Sequence, residues 1–239
     1  MFFPERIKSI KETDKVLEIG PGSSPFPRSD ALLDKKLDDE EALKQRGLEP
    51  KIEYNKPIYY YEGWKFPFQD NEFDYVICSQ VLEHILADNF VNFIKEIERV
   101  AKRGYIEVPR LFYEYLFNFH VHKWLINFKN GKLLLLDKRK IEFSHIQDVF
   151  YLMLRYGGKK ITLINDFIDL FMIGYEWEGK INFEIVDNIE ELISNEDVAF
   201  YKEYFMRLGG KNADNYSRKP LIETILRKTQ GILRYLKCS

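Results

Sequence analysis

The chain is poor in cysteine and has no excess of charge of either sign. Its two cysteines, Cys78 and Cys238, lie far apart, which argues against a disulfide framework and favours a cytoplasmic protein. The 36 lysines and arginines nearly balance the 38 aspartates and glutamates, so the sequence predicts no surface for nucleic acid or for an anionic membrane. No apolar stretch approaches the roughly 18–20 residues that span a bilayer, and no signal-peptide apolar region follows Met1. We therefore expect no membrane span, and nucleic acid is an unfavoured partner.

The first half of the chain contains short apolar segments that are separated by helical patterns. Hydrophobic residues make up 45% of the sequence and no internal boundary is visible, so we predict one domain over residues 1–239. Strands that alternate with helices predict an α/β fold with a doubly wound, mostly parallel sheet. The predicted strands are Val16–Ile19, Ala31–Leu33, Ile58–Tyr61, Tyr75–Cys78 and Tyr105–Val108, and the predicted helices are Asp38–Arg46 and Asn89–Ala101.

Beyond Pro109 the chain becomes rich in aromatic residues, and Phe112–Trp124 is predicted to form an aromatic insertion after strand five. Turn signals at Asn130-Gly131 and at Glu178-Gly179 each predict a β-hairpin. The hairpins would join Leu125–Phe128 to Lys132–Leu136 and Phe167–Trp177 to Lys180–Val186, and helices are predicted over Asp148–Tyr156 and, as a basic amphipathic tail, over Lys219–Lys237.

Glycines and acidic residues follow the predicted strands in an order that suits a nucleoside. Gly20 and Gly22, directly after the first strand, let the backbone approach a ligand closely. Asp34, at the end of the second strand, is suited to hold the two hydroxyls of a ribose. Glu62 and Gly63, after the third strand, are suited to the amino edge of an adenine. The sequence therefore predicts a nucleoside pocket at one edge of the sheet.

Four motifs carry a family resemblance: Glu18-Ile-Gly20-Pro21-Gly22, Glu62-Gly63-Trp-Lys-Phe-Pro-Phe68, Asp70-Asn-Glu-Phe-Asp74 and Ser79-Gln80-Val-Leu-Glu83-His84. Together they resemble the class I, Rossmann-like S-adenosylmethionine-dependent methyltransferases of the type 11 kind. The resemblance covers about residues 14–110 and is weak beyond them. It implies S-adenosyl-L-methionine as the cofactor and S-adenosyl-L-homocysteine as the product.

The resemblance also implies how the fold and the site are arranged. The family's sheet has seven strands with the last one antiparallel, and the second predicted hairpin would supply strands six and seven. Residues 1–110 would form the cofactor-binding half, and residues 111–239 the acceptor-side insertions, the last strands and the C-terminal helix. The implied cofactor residues are Glu18, Gly20, Pro21 and Gly22 for the methionine part, Asp34 for the ribose, Glu62 and Gly63 for the adenine edge, and Ser79 and Gln80 for the pocket after strand four.

The connection after the glycine turn departs from the family pattern. Position 24 is serine, where the family has a third glycine, and Pro25 and Pro27 follow it. Because proline disfavours a helix interior, the first helix is predicted to be very short or absent. The same prolines argue against a nicotinamide or flavin site, whose G-x-G-x-x-G turn opens a long helix. This abbreviated crossover resembles a subset of class I enzymes, many of which look like enzymes of surface-glycan or small-molecule pathways.

Histidines are the candidates for acid–base chemistry, because a hydroxyl acceptor must lose a proton during methyl transfer. The chain has four, and His84, His120 and His122 are the candidate catalytic residues. The spacing of His120 and His122 would place both on one face of a strand, whereas a helix would separate them. Together they could serve as an acceptor base or metal ligand, or as the polar edge of an aromatic lid. For His84 the alternative is packing at a helix start, and for His145 it is a helix-capping or buried position. No metal site is predicted, since no dense carboxylate cluster or Cys/His spacing stands out.

The function predicted from these features is S-adenosylmethionine-dependent O-methylation of a glycan, a nucleotide-sugar or another small-molecule hydroxyl. One alternative is an RNA or protein methyltransferase that docks through the basic C-terminal helix. Another is a catalytically silent binding module that keeps the cofactor fold. The sequence assigns no oligomeric state.

Overall fold

The computed structural model describes Met1 and residues 3–36, 54–147, 149 and 168–209. The chain divides into two compact units, Met1–Leu192 and Ile193–Ser239. Apart from Val149, the predicted helices Asp38–Arg46, Asp148–Tyr156 and Lys219–Lys237 lie outside the described residues. The prediction of a single domain over residues 1–239 stays a prediction.

A six-stranded sheet forms the centre of the first unit. Its strands are β1 (Val16–Ile19), β2 (Ala31–Lys35), β3 (Ile58–Tyr61), β4 (Tyr75–Ser79), β5 (Arg103–Pro109) and β8 (Met172–Glu178), in the order β3-β2-β1-β4-β5-β8. Neighbouring strands are parallel except β8, which is antiparallel to β5. The central strands β1 and β4 are buried along their whole length, as expected for a sheet covered on both faces. The predicted α/β class and the five parallel strands are confirmed.

The helix before β5 covers part of this sheet. Helix α1 spans Ala87–Val100, close to the predicted range, and buries Phe90, Phe93 and Ile97 along one stripe. These side chains share one hydrophobic core with Leu17 of β1 and with other strand residues. The amphipathic spacing in the sequence is therefore what places α1 on the sheet.

No helix connects β1 to β2, as Pro25 and Pro27 predicted. Lys56 stabilises this irregular crossover from the segment before β3. Its Nζ donates hydrogen bonds to the carbonyl oxygens of Phe26, Pro27 and Ser29 at 3.0, 2.8 and 2.5 Å. Because carbonyls outside helices and sheets still need partners, one lysine here replaces the hydrogen bonds that a helix would supply.

A separate sheet of three strands contains β6 (Trp124–Lys129), β7 (Lys132–Asp137) and β9 (Phe183–Val186), in the order β6-β7-β9. β6 and β7 form an antiparallel hairpin. Asn130 and Gly131 close it with φ angles of 51° and 73°, which are those of a type I′ turn. The first predicted hairpin is confirmed.

The second predicted hairpin is wrong, and within the described residues the large sheet has six strands where seven were predicted. β8 pairs with β5 of the large sheet, whereas β9 pairs in parallel with β7 of the small one. Gly179 turns the chain, with a φ of 76°, but the chain does not return along β8. Instead Ile181 is buried, and the carbonyl of Asn182 accepts a hydrogen bond from the N–H of Leu133 at 2.9 Å. These contacts lead the chain into the small sheet, so the described strands divide into six and three.

The aromatic insertion after β5 begins as a helix. Helix α2 spans Leu111–Phe117 and ends at Asn118, which has a left-handed φ of 43° and donates its N–H to the carbonyl of Glu114 at 2.8 Å. His120 and His122 follow in a turn before β6. The two histidines therefore lie in neither a strand nor a helix, because the left-handed residue ends the helix and the chain turns there.

Short helices α3 (Ile168–Phe171) and α4 (Ile189–Leu192) also belong to the first unit. In the second unit, helix α5 spans Asn195–Gly209. It begins after Ser194, whose N–H and Oγ donate hydrogen bonds to Asp197 Oδ2 at 2.7 and 2.9 Å. Ser194 Oγ in turn accepts the N–H of Asp197 at 3.4 Å, and this reciprocal pairing satisfies a backbone donor at the start of the helix.

Candidate active site

A cavity lies at the carboxyl ends of the parallel strands, where ligands bind in open α/β sheets. Its lining includes residues at the ends of β1, β2 and β3 and residues of the turns that follow β1, β3 and β4. Five of the nine predicted cofactor residues line it: Gly20, Gly22, Asp34, Gly63 and Gln80. The structure therefore brings together residues that are up to sixty positions apart in the sequence.

The glycine turn after β1 keeps one corner of this cavity open. Gly20 and Gly22 have left-handed φ angles of 65° and 56°. The N–H of Gly20 donates to the carbonyl of Leu33 at 2.8 Å and so ties the turn to β2. A Cβ atom at Gly20 would overlap with Val81 Cγ2, whereas one at Gly22 would meet nothing within 4 Å. Position 20 thus requires glycine both for its conformation and for its close packing.

Gln80 is a strained residue at the end of β4. Its φ of 58° is left-handed, which is uncommon for a residue with a side chain. The N–H of Gln80 donates to the carbonyl of Glu107 at 2.8 Å, which holds the residue in this conformation. Strained residues concentrate at functional sites, and Gln80 lines the cavity as the motif implied.

An acidic residue and aromatic walls complete the cavity. Asp34 follows the core of β2, and its Oδ1 accepts the N–H of Lys35 at 2.8 Å. Tyr61 and Phe93 form part of the wall with ring centroids 5.9 Å apart, and Trp64 is a partly exposed indole beside Gly63. A turn that only glycine permits, a carboxylate at the end of the second strand and an aromatic wall fit the nucleoside part of S-adenosylmethionine.

Three predicted cofactor residues are engaged in the protein's own structure and are not among the lining residues. Glu18 is buried, and it accepts hydrogen bonds from Ser29 Oγ at 2.7 Å and from a backbone N–H of the crossover at 2.8 Å. Its burial raises the pKa of this carboxyl above the usual value. Ser79 Oγ donates to the buried Glu107 at 2.8 Å, and Pro21 is buried. Cofactor roles for Glu18, Pro21 and Ser79 stay predictions.

Glu62 is likewise not among the residues that line the cavity. It is exposed and forms an ion pair with Lys36, with Nζ and Oε1 2.7 Å apart. The hydrogen bond from Lys36 holds the pKa of Glu62 below its usual value and raises the pKa of Lys36. An adenine would have to compete with Lys36 for this carboxylate, and the predicted contact stays a prediction.

Two of the three candidate catalytic histidines meet at the end of the cavity. His84 lines the cavity from a 3-10 turn over Leu82–His84. The ring of His122 contacts it edge to face, with centroids 4.6 Å apart. His122 also lines a second cavity, which shares Leu86 with the first. The histidine pair therefore lies at the border between two cavities.

Glu114 of α2 orients His122 from behind. This carboxylate is fully buried, and its Oε1 forms a hydrogen bond with His122 Nδ1. Its Oε2 accepts a hydrogen bond from Lys138 Nζ at 3.2 Å. Burial lowers the pKa of Lys138, although the negative charge of Glu114 opposes that shift. With Nδ1 engaged by a carboxylate, the Nε2 atom of His122 is left for a partner on the other side of the ring.

Glu83 completes the cluster. It is fully buried, and among the described residues neither of its carboxylate oxygens has a hydrogen-bond partner. The Nδ1 atom of His84 is likewise buried and unpartnered within the described part of the chain. Burial raises the pKa of Glu83 to about 7 and lowers the pKa of His84 to about 3, so His84 is neutral at physiological pH. One ligand atom each of Glu83, His84 and His122 lie within 4.8 Å of one another.

The other two histidines lie outside this cluster. His120 is exposed and lines only the second cavity. His145 is exposed at the start of a short helical turn, so a helix-start position agrees with the structure and a buried position does not. His120 as a catalytic residue stays a prediction.

Sequence reasoning missed the acidic members of the cluster. Glu83 had a local signal, because it stands beside the candidate His84 in one of the motifs that carry the family resemblance. Glu114 had none, since its role depends on α2 bringing it next to His122. Trp64 was part of a quoted motif, but its place on the cavity wall depends on the turn at Gly63.

The strand order and the cavity define a class of protein. Five parallel strands in the order β3-β2-β1-β4-β5, an antiparallel strand beside β5 and a glycine-lined nucleoside cavity after β1 are the features of the class I methyltransferases that the sequence resembles. Residues 40–106 match a family model described as a methyltransferase domain. The resemblance to class I S-adenosylmethionine-dependent methyltransferases is confirmed, and so is S-adenosylmethionine as the cofactor that goes with it.

Comparison with known proteins gives further matches, each of which covers only part of this chain. An uncharacterised methyltransferase of Schizosaccharomyces pombe is 33% identical over 115 residues, and the match covers 41% of this chain and 40% of the yeast protein. A solved protein of Pyrococcus horikoshii is 16% identical with a TM-score of 0.36, covering 63% of this chain and 76% of that one. An S-adenosylmethionine-dependent methyltransferase of Aquifex aeolicus is 23% identical with a TM-score of 0.29, covering 42% of this chain and 59% of that one.

Within the described residues, no helix combines the length and the apolar character that crossing a membrane requires.

Proposed function

We propose that this protein works as an S-adenosylmethionine-dependent methyltransferase whose acceptor is a hydroxyl of a glycan, a nucleotide-sugar or another small molecule. The observation that carries the proposal is the contact between His84 and His122. Because His84 lines the cofactor cavity and His122 lines the second one, this pair lies where an acceptor in the second cavity would meet the cofactor.

For methyl transfer the protein mainly has to position the acceptor against the cofactor, and it does not need to form a covalent bond with either. When bound, the cofactor supplies an electrophilic methyl group on a sulfonium. In an in-line displacement the acceptor oxygen forms the new bond to carbon, and the electron pair of the broken carbon–sulfur bond stays on sulfur. The hydroxyl proton passes to water beside the histidine cluster, a step that an amine acceptor arriving unprotonated would not need.

The lining of the second cavity supports a polar acceptor. Lys123, Asp137 and Arg139 contribute charges of both signs, and Phe143 contributes an aromatic face. Hydrogen-bonding groups of both kinds beside an aromatic ring suit a sugar-like molecule with several hydroxyls. The abbreviated β1–β2 crossover, which resembles that of enzymes of glycan and small-molecule pathways, favours the same acceptor class by analogy.

The proposal includes a cytoplasmic location. It is supported by the small number of cysteines and by Cys78, which is a free and buried thiol. Burial raises the pKa of Cys78, so this thiol is unreactive.

The test is methyl transfer from methyl-labelled S-adenosylmethionine to a panel of nucleotide-sugars, free sugars and small alcohols, read by mass spectrometry. We expect a product that carries one added methyl on oxygen. The Asp34→Ala variant should lower kcat/KM by at least about tenfold, because the ribose would lose charged hydrogen bonds. The control is Glu178→Ala, which removes an exposed carboxylate at the opposite edge of the sheet.

Transfer to RNA or to protein in preference to every small molecule would contradict the proposed acceptor. Cofactor binding without transfer to any class of acceptor would favour the silent binding module.

A further inference from the structure

We propose that Glu83, His84 and His122 bind one divalent transition-metal ion of the zinc type, with an open coordination position that faces the acceptor. The metal site follows from the geometry of the cluster alone. Its part in acceptor chemistry rests on the proposed function, and the two are tested separately.

The three side chains offer a matching set of ligand atoms. Glu83 has two buried carboxylate oxygens and His84 has a buried Nδ1, all without a hydrogen-bond partner among the described residues. The nearest ligand atoms of Glu83, His84 and His122 lie within 4.8 Å of one another. Zinc binds nitrogen and oxygen at about 2.0–2.2 Å, which places tetrahedral ligands about 3.4 Å apart, so small side-chain rotations complete the site.

Both histidines already have the supporting contacts that metal-binding histidines require. His122 Nδ1 is hydrogen-bonded to the buried carboxylate of Glu114, which leaves Nε2 as the ring nitrogen available to a metal ion. The ring of His84 has a hydrogen bond with the backbone of Val121. Metal-bound histidines almost always use their second nitrogen for a carboxylate or a backbone carbonyl in this way.

An ion also accounts for the unusual state of Glu83. A buried carboxyl group without any hydrogen bond is costly, and native proteins rarely keep one without a reason. Glu83 is fully buried, and neither oxygen has a partner among the residues that the structure describes. Coordination of a cation gives this carboxylate the partner that the protein itself does not supply.

The donor set and its position indicate what the ion does. Two histidines and one glutamate are a ligand set of catalytic zinc sites, which keep a fourth position for water or substrate. His84 borders the cofactor cavity and His122 the second cavity, so the fourth position lies between them. An acceptor hydroxyl bound there would have a lowered pKa and would lose its proton to water before the oxygen takes up the methyl group.

The first experiment measures metal content and affinity in tag-free, full-length protein. After dialysis against Zn²⁺ and removal of excess, we expect close to one zinc per chain by elemental analysis. The His122→Ala and Glu83→Gln variants should retain fewer than about one ion per ten chains, because two ligands alone do not hold zinc against dialysis. His145→Ala is the matched control, since it removes an exposed histidine outside the cluster and should retain the ion.

A further variant distinguishes weaker zinc binding from loss of the folded structure. Glu114→Gln keeps all three ligands but removes the carboxylate behind His122, and should weaken Zn²⁺ binding about tenfold or more in competition with a chromogenic chelator. Co²⁺ should give visible absorption bands of a low-coordinate site in the parent, and Mg²⁺ should not compete because it prefers oxygen ligands.

Zinc retained equally by His122→Ala, Glu83→Gln and the parent would overturn the site, and so would a folded parent that binds no zinc in excess metal. Titration with S-adenosylhomocysteine separates the two claims. Zinc binding without cofactor binding would contradict the methyltransferase proposal alone, and cofactor binding without zinc would contradict the metal site alone.

Discussion

At the scale of single residues, the turn after β1 makes the sharpest demand on residue type. Gly20 and Gly131 both have left-handed φ angles, of 65° and 73°. A Cβ atom at Gly20 would overlap with Val81, whereas one at Gly131 would meet nothing within 4 Å. The two glycines therefore separate the cost of backbone conformation from the cost of filling the cavity corner.

We expect Gly131→Ala to lower the free energy of unfolding by about 1–2 kcal/mol, the cost of a left-handed alanine. Gly20→Ala should lower it by more, because its Cβ atom also overlaps with Val81. Only Gly20→Ala should also weaken S-adenosylhomocysteine binding, by at least about tenfold, because Val81 must move into the cavity. Urea unfolding and calorimetry measure the two effects. Equal cofactor affinity in both variants would show that the turn does not contact the ligand.

Some residues of the site were predictable and others were not, for a physical reason. Gly20 and Gly22 lie in the turn after β1 and Asp34 lies near the end of β2, so their place at the sheet edge is set by local sequence. The cluster of Glu83, His122 and Glu114 depends on α2 and the turn after it folding back onto the 3-10 turn of His84. Spacing along the chain carries no information about such a contact.

At the scale of elements, one arginine joins helix α1 to the loop after β3. Arg99 donates hydrogen bonds to the carbonyl oxygens of Phe66 and Phe68 at 3.2 and 2.8 Å. It also binds both carboxylate oxygens of Glu96 at 2.7 Å, and Glu96 in turn accepts the N–H of Phe66 at 2.8 Å. This network fixes the loop that leads from the cavity wall at Trp64 to β4.

The Glu96→Gln variant is expected to lose roughly 2–3 kcal/mol of stability at neutral pH, because charged hydrogen bonds to Arg99 are replaced by weaker ones. Burial by itself raises the pKa of Glu96, but the hydrogen bonds from Arg99 and Phe66 outweigh it and hold the pKa below 4.5. Ionised Glu96 therefore contributes its full stabilisation at pH values above its pKa in the unfolded state. This stabilisation is lost as the pH falls through its pKa in the folded state.

The stability difference between Glu96→Gln and the parent should thus shrink between neutral pH and about pH 3 in urea unfolding. Glu178→Gln, at an exposed position, should match the parent at both values. A difference that stays constant with pH would contradict the ionised pair.

Element prediction failed where tertiary pairing decides the outcome. Turn residues located the hairpin of β6 and β7, because Asn130-Gly131 by itself selects the type I′ turn. Glu178-Gly179 gave a similar signal, yet β8 and β9 joined different sheets. A turn signal marks a change of direction, but it does not specify which strand the chain then joins.

At the scale of the whole molecule, every residue named here as lining the cofactor cavity lies in the unit Met1–Leu192. A chain that ends after Leu192 should therefore bind S-adenosylhomocysteine within about twofold of the full chain, a difference of about 0.4 kcal/mol. Calorimetry on both chains makes the measurement. A loss of tenfold or more in a folded truncated protein would show that the second unit supports the cofactor site.

The fold class was predictable because it depends on the hydrophobic pattern of the whole first half. Five apolar segments alternate with polar connections, and all five became parallel strands of one sheet. The acceptor was not predictable to the same depth, because the second cavity is built from turns and strand ends of the less regular half.

The most direct test of the account is calorimetric titration of the purified, ligand-free protein with S-adenosylhomocysteine, beside its Asp34→Ala and Glu178→Ala variants. We expect the parent and Glu178→Ala to bind S-adenosylhomocysteine with about micromolar affinity, a binding free energy near 8 kcal/mol in magnitude. We expect binding at least about tenfold weaker in Asp34→Ala. No heat from a folded, ligand-free parent, or equal affinity in Asp34→Ala, would contradict the cofactor site on which the proposed function rests.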